Sequence, residues 1–302
     1  MPGSSSRTRI DLILDPLTMP DSTASKPFPC TWEEAIVTLR SQPEHRQLIH
    51  DAYLDADVVE NCRRYAASDE FAEVLRLIRR YRPGARQVLD IPGGNGIATC
   101  ALVGAGFEVT TVEPDPSPTV GRGAIERGLA ALGRSATVVD AFGESLPFGD
   151  EKFDVVFVRQ GLHHAQDLPK MVAQYARVLR PGGLLLACRE HVVDNYGASL
   201  QAFLDSQPDH QLYGGENAFM LKDYEAALTA AGLDVREVLT PYASPINMHP
   251  NTPELLRRKI LESGAGRRLK RVLPDDLVAA FGMWRLRNRR LPGRLFSFVA
   301  TK

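Results

Sequence analysis

Two different periods of hydrophobic residues divide the chain. Between residues 31 and 80, apolar positions recur every three to four residues, which is the spacing of an amphipathic helix. The residues that share helix faces are Trp32, Ile36 and Leu39 in one stretch and Phe71, Val74, Leu75 and Ile78 in another. Thr31 followed by Glu34 is a helix N-capping signature. We predict a helical block over residues 30–84, preceded by a flexible arm, residues 1–29, that is rich in Ser, Pro and Thr.

From residue 85 onward, short apolar runs alternate with helical stretches. The runs predicted as strands span residues 88–89, 107–112, 137–139, 153–158 and 184–188, and an alternating run covers residues 294–301. Strands that alternate with helices favour right-handed crossovers and a mostly parallel sheet. The predicted fold class is therefore α/β, with helices on both faces of the sheet and the helical block as an N-terminal cap.

The alternation of strands and helices breaks after residue 190. Residues 190–220 are polar and aromatic and include Gly214 and Gly215, which predicts a substrate lid; a tight turn into the next helix is the alternative. Helical stretches near 253–263 and 274–290 form a basic insertion, residues 251–290. Residues 85–302 are thus one predicted domain with two insertions.

Charge is unevenly distributed, although the formal net charge is only −1. Residues 251–302 contain 13 Lys or Arg and 4 Asp or Glu, so they carry +9 and the other 250 residues carry −10. Such a basic segment is typical of solvated helix faces. The more specific alternative is that it binds an anionic substrate. Aromatic residues are not interleaved with the basic ones, so we expect no nucleic-acid partner.

The sequence also predicts a compartment. No apolar run is long enough to cross a bilayer, and the first residues lack the apolar core of a secretory signal. The four scattered cysteines form no paired motif, which is typical of reduced thiols. We expect a cytoplasmic protein without stable membrane insertion, and the sequence makes no prediction of oligomeric state.

A glycine-rich loop, DIPGGNG at residues 90–96, follows the first predicted strand and opens a helix. Free N–H groups at the helix start, and glycines that let a ligand approach the backbone, make an anion and nucleotide site. Glu113 lies 23 positions after Asp90, at the end of the second strand, where its carboxylate can accept from both hydroxyls of a ribose. These features fit NAD as well as S-adenosylmethionine.

Two details separate these cofactors. A dinucleotide fingerprint requires a third small residue at the position where this chain has Thr99. In addition, the Asp90 carboxylate at the strand end suits an ammonium and a sulfonium better than a pyrophosphate. Both details favour S-adenosylmethionine.

Several motifs in order carry a resemblance to a known family. They are VLDIPGGNGIAT, VEPD at residues 112–115, VVDAFGESLPFGDEKFDVVFVRQGLHH and VLRPGGLLL, all within residues 86–190. This set resembles the class I S-adenosylmethionine-dependent methyltransferases of the type-11, ubiquinone-biosynthesis-like subgroup. The resemblance implies a Rossmann-like, seven-stranded, mostly parallel sheet whose last strand is antiparallel, and it makes residues 85–302 the methyltransferase domain.

The resemblance also implies a set of cofactor-binding residues. Asp90 would face the methionine amino group, and Arg159 and Gln160 would lie under the methionine portion. Glu113, with Pro114 beside it, would bind the ribose. The loop residues that would line the cofactor are Pro92, Gly93, Gly94 and Gly96, and those that would contact the adenine are Asp140 and Ala141. Pro92 stands where the family usually has glycine, and we expect the loop to bind the cofactor with proline there.

The candidates for chemistry follow the fourth and fifth strands, at the edge where parallel sheets bind ligands. The predicted catalytic residues are His163, Glu190 and His191. His191 is the preferred general base, because the ordinary pKa of histidine suits proton transfer near neutral pH. The alternative is that these side chains only anchor loops or cap helices. The predicted substrate-contacting residues are His164, Tyr213, Glu216 and Asn217.

These observations lead to a predicted function. The histidines do not fall at a metal-ligand spacing, so we expect no metal site and a metal-independent transfer. The predicted activity is methyl transfer from S-adenosylmethionine to a polar small molecule, anionic or sugar-like. O-methylation is slightly favoured over C- or N-methylation. The alternatives are an NAD(P)-dependent oxidoreductase and a non-catalytic S-adenosylmethionine-binding protein.

Overall fold

The computed structural model describes residues 30–302, so the predicted arm, residues 1–29, lies outside the described part of the chain. In the described part, eight strands form one mixed sheet with helices packed on both of its faces. The predicted α/β class is confirmed.

The sheet has the predicted Rossmann-like topology. Its strands are β1 (Gln87–Asp90), β2 (Glu108–Val112), β3 (Thr137–Val139), β4 (Phe153–Arg159), β5 (Leu179–Val193), β6 (Phe219–Met220), β7 (Asp234–Leu239) and β8 (Arg294–Thr301). The main path runs β3-β2-β1-β4-β5-β8-β7, in which β1 to β5 are parallel. Strand β8 is antiparallel to both of its neighbours, as predicted for the last strand. The short strand β6, which pairs with the end of β5, was not predicted.

The inner strands of the sheet correspond to continuous apolar runs in the sequence. The whole of β4 except Arg159 is buried, because helices cover both faces of a parallel sheet. The helices before and between the first strands are α1 (Trp32–Ser41), α2 (Arg46–Asp51), α3 (Val58–Ala66), α4 (Asp69–Tyr81), α5 (Ile97–Gly104), α6 (Arg122–Ala131) and α7 (Leu168–Val178). Those after β5 are α8 (Ala198–Asp205), α9 (Pro208–Tyr213), α10 (Leu221–Ala230), α11 (Pro245–Met248), α12 (Pro253–Glu262), α13 (Gly264–Leu269) and α14 (Asp275–Arg287).

The helical block packs against the rest of the chain near the glycine-rich loop. The capping box at the start of α1 forms as predicted, since Thr31 accepts from the Glu34 N–H and Glu34 accepts from the Thr31 N–H. The side chain of Asn95, within the loop, donates to the Tyr53 carbonyl at 2.6 Å. The block therefore contacts the loop directly.

Strand β5 is much longer than the predicted run over residues 184–188. It begins directly after α7 and continues through Glu190 and His191 to Val193. A β-bulge lies between Ala187 and Glu190, and Arg189 within it has φ 63°. The prediction that the strand ends before Glu190 was therefore wrong, because the bulge lets the strand continue.

None of the helices in residues 30–302 is long and apolar enough to cross a lipid bilayer.

Candidate functional site

The glycine-rich loop turns sharply between β1 and α5. Gly94 and Gly96 have φ of 52° and 87°, a region that favours glycine. Gly93 lies so close to β2 that a Cβ there would be 2.3 Å from Oγ1 of Thr111. The loop thus presents bare backbone at the carboxyl end of the sheet.

Asp90, the last residue of β1, is fully buried beside this loop. Its Oδ2 accepts from the Thr99 hydroxyl at 2.6 Å, whereas its buried Oδ1 has no hydrogen-bond partner among residues 30–302. Burial, with a smaller effect of the charge of Glu113, raises the pKa of Asp90 to about 7. A buried carboxylate oxygen without a partner fits a positively charged ligand group.

Glu113 connects the end of β2 to the loop. Its Oε2 accepts from the Gly94 N–H at 2.7 Å, and its Oε1 accepts from the Asp115 N–H at 2.9 Å. Burial raises the pKa of Glu113 to about 7, although both N–H groups favour the charged form. Each carboxylate oxygen keeps a second lone pair, with which it can accept from a ligand hydroxyl.

Pro92 packs against the backbone that follows β4. The Ile91–Pro92 peptide bond is cis. A Cβ at Gly161 would lie 2.3 Å from Cδ of Pro92 and 2.8 Å from Cγ1 of Val158. The ring of Pro92 therefore occupies the space beside Gly161.

Replacing Gly161 by alanine is expected to destabilise the protein by about 1–3 kcal/mol, because the added methyl group overlaps the Pro92 ring. Urea unfolding of the variant measures this. The matched control is Gly149→Ala, since a Cβ at Gly149 meets nothing within 4 Å. Equal stability of the two variants would contradict the close contact between Pro92 and Gly161.

The predicted adenine-side residues lie at the end of β3. The Asp140 side chain is 65% exposed and forms an ion pair with Arg122 at 3.0 Å. The same guanidinium donates to the carbonyls of Glu113 at 2.8 Å and Pro114 at 2.6 Å. Ala141, next in the chain, is half-buried. Arg122 thus ties the two predicted binding segments together, and no sequence motif marked it.

Arg159 is held by a buried carboxylate, Glu70, that no sequence motif marked. Its guanidinium donates to both oxygens of Glu70, at 2.7 and 3.2 Å, and to the Gln160 side chain at 3.0 Å. Burial by itself raises the pKa of Glu70, but the charges of Arg159 and Arg189 and the hydrogen bonds from Arg159 together outweigh it, and the net pKa is lowered. The only sequence signal for Glu70 is its place on the apolar face of α4. Gln160 itself has φ 52° as β4 ends.

A buried histidine and a buried glutamate meet between β4 and β5. His163 Nδ1 lies 2.7 Å from Oε2 of Glu190, and both side chains are 1% exposed or less. Glu190 also accepts from the backbone N–H groups of Gly161 and His163, each at 3.1 Å. Both N–H groups favour the carboxylate form of Glu190, and in that form Nδ1 of His163 carries the proton between them. Nε2 of His163 therefore offers a free lone pair.

The electrostatics of this pair follow from its burial. Burial, together with the neighbouring His164, lowers the pKa of His163 well below its usual range, so its ring is neutral. Burial raises the pKa of Glu190, and the backbone N–H groups oppose that shift.

His191 lies beside this pair in β5. Its ring centroid is 4.8 Å from that of His163, in an edge-to-face arrangement. Its Nδ1 lies 2.7 Å from the carbonyl of Gly293, which can only accept, so Nε2 again carries the free lone pair. Burial lowers the pKa of His191 to about 3, and its ring is also neutral at pH 7.

Glu216 approaches both histidines that follow β4. Its Oε2 lies 3.7 Å from Nε2 of His163, and its Oε1 lies 3.9 Å from Nε2 of His164. His164 Nδ1 is 2.9 Å from the Gly215 carbonyl. Burial, with the charges of Asp209 and Glu190, raises the pKa of Glu216 to about 8. The segment that follows α9 thus contacts both His163 and His164.

The other two predicted substrate residues flank Glu216. The Tyr213 ring lies 4.8 Å from the ring of Trp32 in α1, so it also contacts the N-terminal block. Asn217 is half-buried and lies between Glu216 and β6.

The structure brings together donor atoms that are far apart in the sequence. One ligand atom from each of His163, His191 and Glu216 lies within 4.8 Å of the other two. Such a cluster can hold a divalent metal ion, or it can hydrogen-bond a polar substrate. It adjoins the glycine-rich loop, because Gly161 packs on Pro92 and its N–H donates to Glu190.

Comparisons with known proteins indicate the family of the chain. The family described as "Methyltransferase domain" (type 11) matches residues 89–187. An uncharacterized methyltransferase of Mycobacterium sp. (strain JLS) is 39% identical over 113 residues, which cover 37% of this chain and 42% of that relative. The match thus spans about two fifths of the length of that relative. A ubiquinone/menaquinone biosynthesis C-methyltransferase of Shewanella sp. (strain ANA-3) is 30% identical over 195 residues, covering 61% of this chain and 67% of the relative.

Among solved structures, the phosphoethanolamine N-methyltransferase 2 of Haemonchus contortus, in complex with S-adenosylhomocysteine, has a TM-score of 0.50. It is 21% identical, and the match covers 76% of this chain and 52% of that one, so it shows a shared fold. Together with the ordered motifs, these matches confirm the resemblance. The chain belongs to the class I S-adenosylmethionine-dependent methyltransferases of the type-11 group, and its cofactor is S-adenosylmethionine.

Proposed function

We propose that the protein transfers the methyl group of S-adenosylmethionine to a hydroxyl oxygen of a polar small molecule. The observation that carries this proposal is the buried His163–Glu190 pair, which directly adjoins the cofactor loop through Gly161. An acceptor hydroxyl must lose its proton during methyl transfer, and this pair offers a group that can receive it.

The residues around the loop fit the cofactor. Asp90 Oδ1, which is buried without a partner in the described chain, suits the methionine ammonium group. Glu113 keeps lone pairs for the ribose hydroxyls while it holds the Gly94 N–H. Asp140 and Ala141 would contact the adenine, with Arg122 fixing their position relative to Glu113.

The cofactor supplies a methyl group on a positively charged sulfur, which is already activated for displacement. The protein therefore has to align the acceptor oxygen with the methyl carbon and receive the hydroxyl proton. During the transfer, Nε2 of His163 would receive the proton that the acceptor hydroxyl loses. Glu190, hydrogen-bonded to Nδ1, positions the ring and stabilises the imidazolium.

Two histidines compete for the role of base. The sequence favoured His191, but its Nδ1 donates to an uncharged backbone carbonyl. A carboxylate stabilises an imidazolium more than a carbonyl does, so we propose His163 as the base. His191 would then hydrogen-bond the acceptor.

The charges of the pocket favour a hydroxylated, sugar-like acceptor over an anionic one. The histidines of the cluster are neutral, and the pKa of Glu216 is raised to about 8, so none of these groups brings a positive charge that would attract an anion. Arg159, the one arginine among the predicted site residues, is paired with Glu70. The groups proposed to bind the acceptor are His164, Tyr213, Glu216 and Asn217.

A panel of acceptors tests the proposed activity. The protein is incubated with S-adenosylmethionine and hydroxylated, amine and enolate acceptors, and S-adenosylhomocysteine and methylated product are followed by mass spectrometry. We expect product mass increases on sugar-like hydroxyl acceptors. Turnover on carbon or nitrogen acceptors alone would contradict O-methylation, and cofactor binding without any turnover would favour the non-catalytic alternative.

Cofactor affinity is expected to rise with pH. The pKa values of Asp90 and Glu113 are both raised to about 7, so below that pH both groups are protonated and bind ammonium and ribose less well. Between about pH 8 and 6, affinity should fall about tenfold or more. Calorimetric titration over this range measures the change, and Glu113→Gln should show a shallower dependence. An affinity that does not vary with pH would contradict the two carboxylate roles.

A further inference from the structure

Helix α14 has one face that packs inside the protein. Val278 on this face is 1% exposed. Gly282, one turn further on, packs closely on α12, since a Cβ there would lie 2.3 Å from Cγ2 of Ile260. These contacts fix the orientation of the helix about its axis.

The opposite face presents an apolar stripe, defined as Leu277, Phe281 and Trp284. These side chains are 56%, 47% and 60% exposed. Their spacing of i, i+4 and i+7 aligns them along the helix. The rings of Phe281 and Trp284 stack with centroids 5.9 Å apart.

Apolar exposure in the described chain concentrates around this stripe. Six of the ten exposed large hydrophobic residues in the range 30–302 lie between residues 272 and 291. The other three of these six are Val272, Leu273 and Leu291. A patch of this kind marks an interaction surface.

Positive charge surrounds the stripe. Arg285 and Arg287, both exposed, lie about 80° to either side of it around the helix. Residues 263–291 contain eight Lys or Arg and two Asp. Both acidic residues are already paired, Asp275 with Lys270 and Asp276 with Arg257. The face is therefore apolar along its centre and strongly basic at its edges.

We propose that this face of α14 docks on the surface of a lipid bilayer that contains anionic lipids. Leu277 and Phe281 would insert among the acyl chains, and Trp284 would lie at the level of the headgroups. The flanking arginines reach the lipid phosphates with their charged ends while their stems cover apolar surface.

Other occupants fit these features less well. A second copy of this chain would bring two positively charged faces together, which is repulsive. A nucleic acid offers charge but no apolar phase for the stripe. An anionic bilayer supplies both, and its binding does not depend on the proposed methyl transfer.

Cosedimentation of the full chain with vesicles tests the docking surface. The vesicles are phosphatidylcholine alone or phosphatidylcholine mixed with phosphatidylglycerol. We expect binding to the mixed vesicles that weakens with salt, and a blue shift of tryptophan emission that is lost in Trp284→Phe; the chain has only two tryptophans. Far-UV circular dichroism and cofactor binding verify the fold of each variant.

Three variants separate the contributions. Leu277→Ser with Phe281→Ser and, separately, Arg285→Gln with Arg287→Gln should each lower the partition coefficient about tenfold or more. The control, Val37→Ser with Leu48→Ser, changes exposed apolar residues elsewhere and should bind like the unchanged chain.

Specific results would overturn the proposal. These are no binding to mixed vesicles, equal binding of all variants, or binding that appears only after removal of residues 1–29. Self-association that is lost when the stripe is substituted, without vesicle binding, would assign the face to a second copy instead.

Discussion

Replacing Glu113 by alanine is expected to lower the affinity for S-adenosylmethionine by about a hundredfold or more. The change removes the acceptor for the ribose hydroxyls and also leaves the N–H groups of Gly94 and Asp115 without their partner. Each hydrogen bond to a charged group contributes about 1.5–3 kcal/mol. The loss of the two hydrogen bonds from the ribose hydroxyls therefore accounts for the predicted hundredfold factor. Calorimetric titration with S-adenosylmethionine measures it.

The matched control is Glu108→Ala, at the start of the same strand. Glu108 is exposed and pairs with Arg86, so its removal should leave cofactor affinity within about twofold. If both variants bound the cofactor like the unchanged protein, the ribose-binding role of Glu113 would be wrong.

Replacing His163 by asparagine is expected to lower kcat about a hundredfold to ten-thousandfold, because the proton of the acceptor hydroxyl then has no receiving group. Cofactor affinity should stay within about twofold, since His163 contacts Glu190 and not the loop. Steady-state kinetics on the acceptor found in the panel, with calorimetry for the cofactor, measures both quantities.

Two controls separate the base from other roles of His163. Glu190→Gln keeps the shape of the side chain but removes its charge, so kcat should fall while the KM of the acceptor changes little. Incubation with a chelator should leave kcat unchanged; a loss restored by a divalent metal would instead make the cluster of His163, His191 and Glu216 a metal site. An unchanged kcat in His163→Asn would contradict the proposed base.

The parallel half of the sheet could be predicted from the sequence because its inner strands are buried apolar runs. The run at residues 153–158 becomes β4, which is hydrogen-bonded on both edges and covered on both faces. The observed bounds of β4, Phe153–Arg159, differ from the predicted run by one residue. Local patterns were sufficient here, because each pattern reports burial of that same segment.

The full length of β5 could not be predicted in the same way. Its first residues, Arg180 to Gly183, have the composition of a turn. Pairing with β8, which lies more than a hundred residues later, extends the strand as far as His191 and Val192. Such long-range partners leave no local signal.

In the candidate site, too, local motifs could be predicted and long-range contacts could not. The loop with Asp90 and the segment with Glu113 are each a short motif that the sequence shows directly. In the structure, Glu113 accepts from the loop N–H of Gly94, and Asp90 accepts from Thr99 at the start of the following helix. The pairing of Glu70 with Arg159, and that of Glu216 with the histidines, depend on tertiary contacts between separate segments. The sequence indicated both Glu216 and His163 as site residues, but it could not predict that their side chains lie side by side.

The most direct test is calorimetric titration of the purified protein with S-adenosylmethionine, S-adenosylhomocysteine and NADH side by side. Micromolar binding of the first two and none of NADH is predicted, and would show that a loop with Pro92 still holds the cofactor. Binding of NADH alone would contradict the assignment of the glycine-rich loop and of the pocket formed by Asp90 and Glu113.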